Sequence, residues 1–267
     1  MRTMLLKRLD SSFHAFTRSL CRFRDTTQAM VTMFENGRIY IAPELNVSEY
    51  IIEGREDELA ALIAELQVDD PAIEVCTPDD FEKSFLIGLE QDLSILNEIC
   101  EAWLAVDEDP KVEEFIRRLK TEFCDPSINH HAATKESPRL VVFSESKETS
   151  SYIVERLKSE GYDRVLFIDS ATRKDRMPHV RANFDANRPI EEQADDYDII
   201  VSTEVLAEGV NLHRANVIVN YDTPWNSTRL MQRIGRVNRI GTTAPRIYVY
   251  NFFPTAQVDA NIDIKKK

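Results

Sequence analysis

Short apolar runs alternate with amphipathic segments throughout the second half of the sequence, and this alternation limits the possible fold more than any other feature. Runs of four or five strand-forming residues recur after Arg139, and polar or amphipathic segments separate them. Strands this short and this apolar are typical of parallel sheets covered by helices on both faces. The predicted strands are residues 140–143, 165–168, 199–202, 217–220 and 247–251.

The segments between these strands predict the helices of an α/β domain. Helical periodicity covers residues 148–159, 174–183 and 228–238. Thr172 is expected to cap the second of these helices, and the acidic segment 187–198 predicts a loop. Right-handed crossovers would bring the loops that follow the strands to one edge of the sheet, where such folds carry their functional residues.

Residues 1–126 predict a mainly helical, acidic region, which precedes a linker at 127–138 and the α/β domain at 139–267. Apolar residues three or four apart predict one long helix over residues 1–34. Asp109 followed by Pro110 predicts the start of a later helix, because aspartate caps helices and proline fits their first turn. The other predicted elements of this region are a strand at 38–42 and helices at 56–66 and 81–103.

The formal net charge of −13 is unevenly distributed along the chain. Residues 1–43 carry +4, residues 44–126 carry −18 and residues 127–267 carry +1. Because local field governs phosphate binding, the overall acidity does not exclude a nucleic-acid partner. No apolar run approaches the length that spans a membrane, and the four cysteines are scattered, as expected for buried thiols of a reducing cytoplasm.

Arginine is densest in one short segment, where Arg233, Arg236 and Arg239 recur every three residues on a predicted helix. Guanidinium pairs two phosphate oxygens at once and keeps its charge, so this spacing predicts contact with phosphate. A solvated basic face, or pairing with the many carboxylates of the chain, would explain the same spacing.

The order of residues upstream of these arginines favours the phosphate interpretation. It consists of a Ser-Thr turn after a strand, a Glu-Gly-x-Asn turn, a further strand, an Asp-x-Pro-Trp-Asn step and then Gln-Arg-x-Gly-Arg-x-x-Arg. This order resembles motifs V and VI in the second RecA-like domain of superfamily 2 helicases, especially the Swi/Snf-type DNA translocases. The resemblance implies a RecA-like parallel sheet, preceded by a mainly helical N-terminal region, in the C-terminal motor domain of an ATP-dependent DNA helicase or translocase.

The resemblance also assigns roles to individual residues. Arg236 and Arg239 match the arginine fingers, which stabilise charge on the transferring phosphate of ATP. The implied nucleotide-binding residues are Gln232, Glu208, Gly209 and Asn211. The implied contacts to the nucleic-acid backbone come from the ends of three strands and are Phe143, Ser144, Ser170, Thr172, Ser202 and Thr203. Trp225 matches the tryptophan of the Asp-x-Pro-Trp-Asn step and would pack against the arginine helix or stack on a base.

The phosphate-binding half of the expected motor is not found in this sequence. No Gly-x-x-x-x-Gly-Lys-Ser/Thr loop and no Asp-Glu-x-His box occur in it. ATP with Mg²⁺ is therefore expected to be bound mainly by a first RecA-like motor domain of the same polypeptide, and this chain alone is expected to be inactive. DNA is the expected partner, RNA is not excluded, and no metal site is predicted in this chain.

Two other functions compete with the motor hypothesis. A stand-alone module that binds nucleic acid or a partner helicase would keep the fold, but it would not need the arginines of motif VI. Glu145-x-Lys147 follows a strand, as the Glu-x-Lys pair of some magnesium nucleases does, but no upstream aspartate is placed to share the metal.

Overall fold

A computed structural model describes residues 2–68, 70–129, 138–224, 226–242 and 244–253. The chain forms two compact units, one built from residues 2–16 and 108–253 and the other from residues 17–107. These units do not coincide with the predicted division at the linker 127–138, because residues 2–16 and 108–129 belong to the unit that contains the large sheet.

Two helices, α1 (Arg2–Ser11) and α2 (Phe13–Glu35), replace the single helix predicted over residues 1–34. The interruption lies at buried Ser12, whose Oγ accepts a hydrogen bond of 3.0 Å from the N–H of Ala15. The N–H of Phe13 donates to the carboxylate of Asp109 at 2.8 Å. A serine that caps the next turn competes with continuation of the helix, and apolar periodicity does not reveal this competition.

The unit formed by residues 17–107 has its own small core. Its helices and strands beyond α2 are β1 (Ile39–Ile41), α3 (Val47–Ile52), α4 (Glu56–Leu66), β2 (Glu74–Cys76) and α5 (Lys83–Leu104). β1 and β2 pair antiparallel, and Leu59 and Ile63 of α4 are buried in this core. The strand at 38–42 and the helices at 56–66 and 81–103 were predicted close to these limits, whereas the short elements α3 and β2 were not.

Helix α6 (Pro110–Arg118) begins where the sequence predicts, with the carboxylate of Asp109 accepting a hydrogen bond from the N–H of Lys111 at 3.1 Å. It continues into a turn of π-helix at Leu119–Phe123. The side chains of Phe115 and Leu119 are fully buried against apolar residues of the large sheet. This burial explains why α6 belongs to the sheet unit.

The large sheet contains five parallel strands, in the order β4-β5-β3-β6-β7. These strands are β3 (Leu140–Phe143), β4 (Val165–Ile168), β5 (Ile199–Ser202), β6 (Val217–Asn220) and β7 (Tyr248–Asn251). Three helices follow strands of this sheet, namely α7 (Lys147–Ser159), α8 (Arg173–Phe184) and α9 (Ser227–Val237). The predicted strands, helices and RecA-like α/β fold are confirmed.

Both faces of the sheet are covered, as the apolar strands require. Leu140 and Val142 of β3 share a buried cluster with residues of α6 and α7. Val141 and Phe143, which point to the other face, pack with residues of α8 and α9. The carboxyl ends of the five strands therefore meet at one edge, between the two layers of helices.

Candidate functional site

Arg233 is a buried anchor of helix α9 and does not face solvent. Its side chain is fully buried, and one Nη atom donates to Oδ1 of Asn220 at 2.8 Å and to the carbonyl of Asp222 at 3.0 Å. The other Nη atom pairs with Glu204, and the guanidinium lies 5.1 Å from the ring centroid of Phe143. Because the spacing predicted phosphate contact for all three arginines, the burial of Arg233 leaves only Arg236 and Arg239 accessible for such a contact.

Arg236 and Arg239 remain accessible near the C-terminal end of α9. The Nε of Arg236 donates to the carbonyl of Gln232 at 3.3 Å, and the Nε of Arg239 donates to the carbonyl of Gly235 at 3.0 Å. An Nη atom of Arg239 also donates to the amide oxygen of Asn211. Burial and the neighbouring charge of Arg239 lower the pKa of Arg236. An arginine remains protonated at neutral pH despite such a shift, so the site keeps both charges.

These two arginines line a cavity of about 520 Å³, which we call the arginine cavity. It is lined by Arg181, Asp185, Arg188, Gly209, Val210, Asn211, Arg236 and Arg239. Four arginines and one acidic residue therefore line this cavity. The Oδ2 of Asp185 accepts a hydrogen bond from Nδ2 of Asn211 at 3.2 Å, so this carboxylate helps to orient the amide that holds Arg239.

A second cavity of about 480 Å³ borders the first at Gly209, and we call it the mixed-charge cavity. It is lined by Arg173, Glu204, Val205, Ala207, Glu208, Gly209, Arg229 and Gln232. The four residues predicted to bind nucleotide are therefore divided between the two cavities. Asn211 lies in the arginine cavity with Arg236 and Arg239, Glu208 and Gln232 lie in the mixed-charge cavity, and Gly209 lines both. Gly209 has φ of +75°, a conformation that favours glycine.

Three of the residues predicted to touch nucleic acid are buried at the ends of β3 and β5. Phe143, Ser144 and Ser202 are each fully buried. The Oγ of Ser144 donates to Asp222 at 2.6 Å, and the Oγ of Ser202 donates to the carbonyl of Thr203 at 2.8 Å. Their side chains are therefore engaged within the protein, whereas Thr203 is half-buried.

The loop after β4 keeps an accessible hydroxyl at exposed Ser170. Thr172 lies at the predicted N-cap position, but its Oγ1 donates to Oδ1 of Asp169 at 2.8 Å and makes no cap bond to the helix. Burial would raise the pKa of Asp169, but Lys147 and Thr172 hold it at about 2. The Nζ of Lys147 lies 2.8 Å from Oδ2 of Asp169, so the lysine of the Glu145-x-Lys147 pair is held by this carboxylate.

Asp222 joins four segments of the sheet unit, a role that sequence reasoning missed. Its carboxylate accepts hydrogen bonds from Oγ of Ser144 at 2.6 Å, Oγ of Ser11 at 2.8 Å and the N–H of Glu145 at 3.0 Å. The Nζ of Lys111 completes this set at 2.9 Å. Burial would raise the pKa of Asp222, but Lys111 and the hydroxyl donors keep it below the usual value. No spacing rule connects partners this distant in sequence.

Some predicted features cannot be compared with the structure. Trp225 and most of the linker 127–138 lie outside the described residues. Within the described residues, no group of three acidic, histidine or cysteine side chains is placed to hold a metal ion. Across the same residues, no helix combines the length and apolar character of a membrane span.

Comparison with known proteins identifies the domain that carries these cavities. Residues 119–241 match the family model described as "Helicase conserved C-terminal domain". The uncharacterized ATP-dependent helicase YqhH of Bacillus subtilis is 30% identical over 130 residues, which are 48% of this chain and 21% of that protein. The ATP-dependent RNA helicase ROK1 of Saccharomyces cerevisiae is 24% identical over 208 residues, which are 70% of this chain and 37% of that protein.

Among solved structures, the C-terminal part of the Fun30 ATPase domain aligns with 91% of this chain and 64% of its own, at 17% identity and a TM-score of 0.48. The chain spans 21% and 37% of the length of the two curated relatives named above. Residues 119–241 lie within the sheet unit defined above and include Arg236, Arg239 and the turn at Gly209. Residues 119–241 are therefore similar to the conserved C-terminal domain of helicases.

Proposed function

We propose that this domain is the second motor domain of a nucleic-acid-dependent ATPase, in which Arg236 and Arg239 contact the phosphates of ATP held by a first motor domain. The arginine cavity is the observation that carries this proposal. Four arginines line this cavity of about 520 Å³ in a chain whose net charge is −13. Positive groups fixed in a concave site are suited to the charge that develops during phosphoryl transfer.

The two fingers differ in how firmly they are oriented. Arg239 is held by the amide of Asn211 and the carbonyl of Gly235, which leaves part of its guanidinium for a ligand. Arg236 makes one long hydrogen bond of 3.3 Å through Nε. Its Nη atoms are therefore the better placed to pair with a phosphate that enters the cavity, and Arg239 would add a second, pre-oriented charge.

ATP would enter the arginine cavity with its phosphates, and no group of three acidic, histidine or cysteine side chains among the described residues is placed to hold its metal. We propose that Mg²⁺ and the β- and γ-phosphates are bound mainly by the first motor domain, since this sequence contains no P-loop and no Asp-Glu box. The chain by itself is then expected to show no ATP turnover. Turnover by the purified chain would contradict this division of labour.

Nucleic acid is proposed to bind along the loops at the carboxyl ends of β4 and β5. Ser170 is exposed and Thr203 is half-buried there, so their hydroxyl and backbone N–H groups can reach phosphate oxygens. Thr172 would act mainly by shaping this loop through Asp169. The buried side chains of Phe143, Ser144 and Ser202 would support these loops without touching the ligand.

We propose DNA as the nucleic acid. The turn that contains Asn211 and the Asp-x-Pro-Trp-Asn step follow each other in an order that resembles the Swi/Snf-type DNA translocases. The names of relatives such as ROK1 favour RNA instead. We also propose a cytoplasmic location, which the free thiols of Cys21, Cys76, Cys100 and Cys124 support.

The test is ATP hydrolysis by the complete gene product that contains this chain, measured with duplex DNA, single-stranded DNA and single-stranded RNA. Stimulation by DNA of either form is the expected result. Stimulation by RNA alone would keep the motor and refute the choice of DNA. Failure to hydrolyse ATP with any of the three would refute the motor and favour a module that only binds nucleic acid or a partner.

A further inference from the structure

Arg181 and Arg188 line the arginine cavity although no motif includes them. Arg181 lies in the last turn of α8, and Arg188 follows that helix by four residues. The fingers Arg236 and Arg239 come from α9 and the residues that follow it. Two structural elements, separated in sequence by the whole of β5 and β6, thus contribute two guanidinium groups each to one cavity.

The charge of the arginine cavity distinguishes it from its neighbour. In the mixed-charge cavity, Arg173 and Arg229 are balanced by Glu204 and Glu208. In the arginine cavity, Asp185 is the single carboxylate among the lining residues, against four arginines. An excess of three positive charges is characteristic of a site for a multiply charged anion.

Neighbouring groups offset only part of this excess. The Oδ2 of Asp185 accepts from Asn211 at 3.2 Å, and its Oδ1 accepts from the N–H of Asn187 at 3.0 Å. Buried His213 has its Nδ1 3.7 Å from Oδ1 of Asp185, and burial lowers the pKa of His213, so the ring adds no charge at neutral pH. Arg188 pairs with Glu192 of its own turn, which offsets one of the four charges.

The size of the cavity fits a chain of phosphates better than a single one. Small-molecule sites measure roughly 300–1,000 Å³, and this cavity measures about 520 Å³. Gly209 lines both cavities and adds no side chain to either of them. Bidentate contacts from arginines of two elements would hold successive phosphate groups.

We propose that Arg181 and Arg188 are further phosphate-binding residues, and that this chain holds a polyphosphate between the arginines of α8 and its following turn and those of α9. The inference rests on the proposed function, since the triphosphate of ATP is the expected natural source of the anion. It adds that this chain binds the phosphates even when the first motor domain is absent.

The experiment is calorimetric titration of the purified 267-residue chain with inorganic tripolyphosphate, at low and at high salt. Binding that weakens with salt is expected. Arg181→Ala and Arg188→Ala should each weaken it about tenfold, which equals about 1.4 kcal/mol, and Arg236→Ala should do the same. Arg229→Ala, which alters the mixed-charge cavity, is the matched control and should change the affinity less than about twofold.

Arg188→Lys controls for a folding defect in Arg188→Ala, because it keeps the positive charge beside Glu192 while removing the planar guanidinium. It should weaken binding less than Arg188→Ala, with an unchanged circular dichroism spectrum. No binding by the unaltered chain would overturn the inference. Binding that requires Arg236 but neither Arg181 nor Arg188 would also overturn it while leaving the proposed function intact. Binding insensitive to all three arginines would count against both.

Discussion

Replacing Arg233 with alanine should destabilise the sheet unit far more than the same change at Arg236, three residues further along the same helix. Arg233→Ala removes hydrogen bonds of 2.8 and 3.0 Å to Asn220 and Asp222 and leaves Glu204 without its partner. Breaking a buried ion pair costs about 3–5 kcal/mol. The side chain of Glu204 is 29% exposed and can be hydrated, so we expect the lower end, about 3 kcal/mol.

Urea denaturation measures this difference. With a denaturant slope of about 2 kcal/mol per molar, a loss of 3 kcal/mol lowers the midpoint by about 1.5 M. Hydrogen exchange of the β6 amides reports on the sheet unit alone, which matters because the chain contains two compact units. Arg236→Ala removes one bond of 3.3 Å at a partly exposed site and should cost less than about 0.5 kcal/mol.

Equal shifts for the two variants would refute the distinction between an anchoring arginine and a ligand-facing one. A loss below about 1 kcal/mol for Arg233→Ala would show that the hydrogen bonds around Arg233 contribute little net stability, against the expectation for a buried charged group.

Three further predictions concern the polar groups at the ends of the strands. Lys111→Met should cost about 2–4 kcal/mol at pH 7 by thermal denaturation, because it leaves the Asp222 carboxylate buried without a cation. The pKa of Asp222 is depressed, so its stabilisation is present above its ordinary pKa and fades as the pH falls below about 4. The penalty should shrink there, and an equal penalty at pH 7 and pH 3 would contradict the pairing. Ser144→Ala should lower stability by about 1–2 kcal/mol and leave nucleic-acid affinity, measured by fluorescence anisotropy, within about twofold, since the hydroxyl is buried on Asp222. Ser170→Asp should weaken nucleic-acid binding several-fold without changing the melting temperature. A lower melting temperature with unchanged binding would show that Ser170 does not belong to the proposed interface.

The sheet could be predicted from the sequence because its strands are apolar at nearly every position. In β3, Leu140 and Val142 pack on one face while Val141 and Phe143 pack on the other, so the whole run had to be apolar. The elements α3 and β2 span six and three residues, which is too short for a periodic signal.

Long-range contacts explain what the sequence could not show in the N-terminal region. The break between α1 and α2 involves the contact of Phe13 with Asp109, nearly a hundred residues away. The membership of α6 in the sheet unit depends on burial of Phe115 and Leu119 against the strands. Helical periodicity marks an apolar face, but it does not identify the surface that the face covers.

The candidate site was partly predictable, because the resemblance to helicase motifs identifies residues by order rather than by environment. Arg236, Arg239 and Asn211 do line one cavity. Spacing alone did not distinguish Arg233 from the other two arginines, although its side chain is buried and bonded to Asn220 and Glu204. Arg181 and Arg188, which come from α8 and its following turn, carry no motif, and only the cavity that they line together with Arg236 and Arg239 reveals them.

The most direct test of the proposed motor role compares catalytic rate with nucleic-acid affinity in the complete gene product carrying Arg236→Ala. Loss of an arginine finger should lower kcat for ATP hydrolysis by about 10³-fold or more while leaving the Kd for nucleic acid within about twofold. Arg117→Ala, which alters an exposed arginine of α6, is the control and should change neither quantity. An equal loss of kcat and of nucleic-acid affinity in Arg236→Ala would mean that this arginine binds nucleic acid. An unchanged kcat would contradict the arginine-finger role.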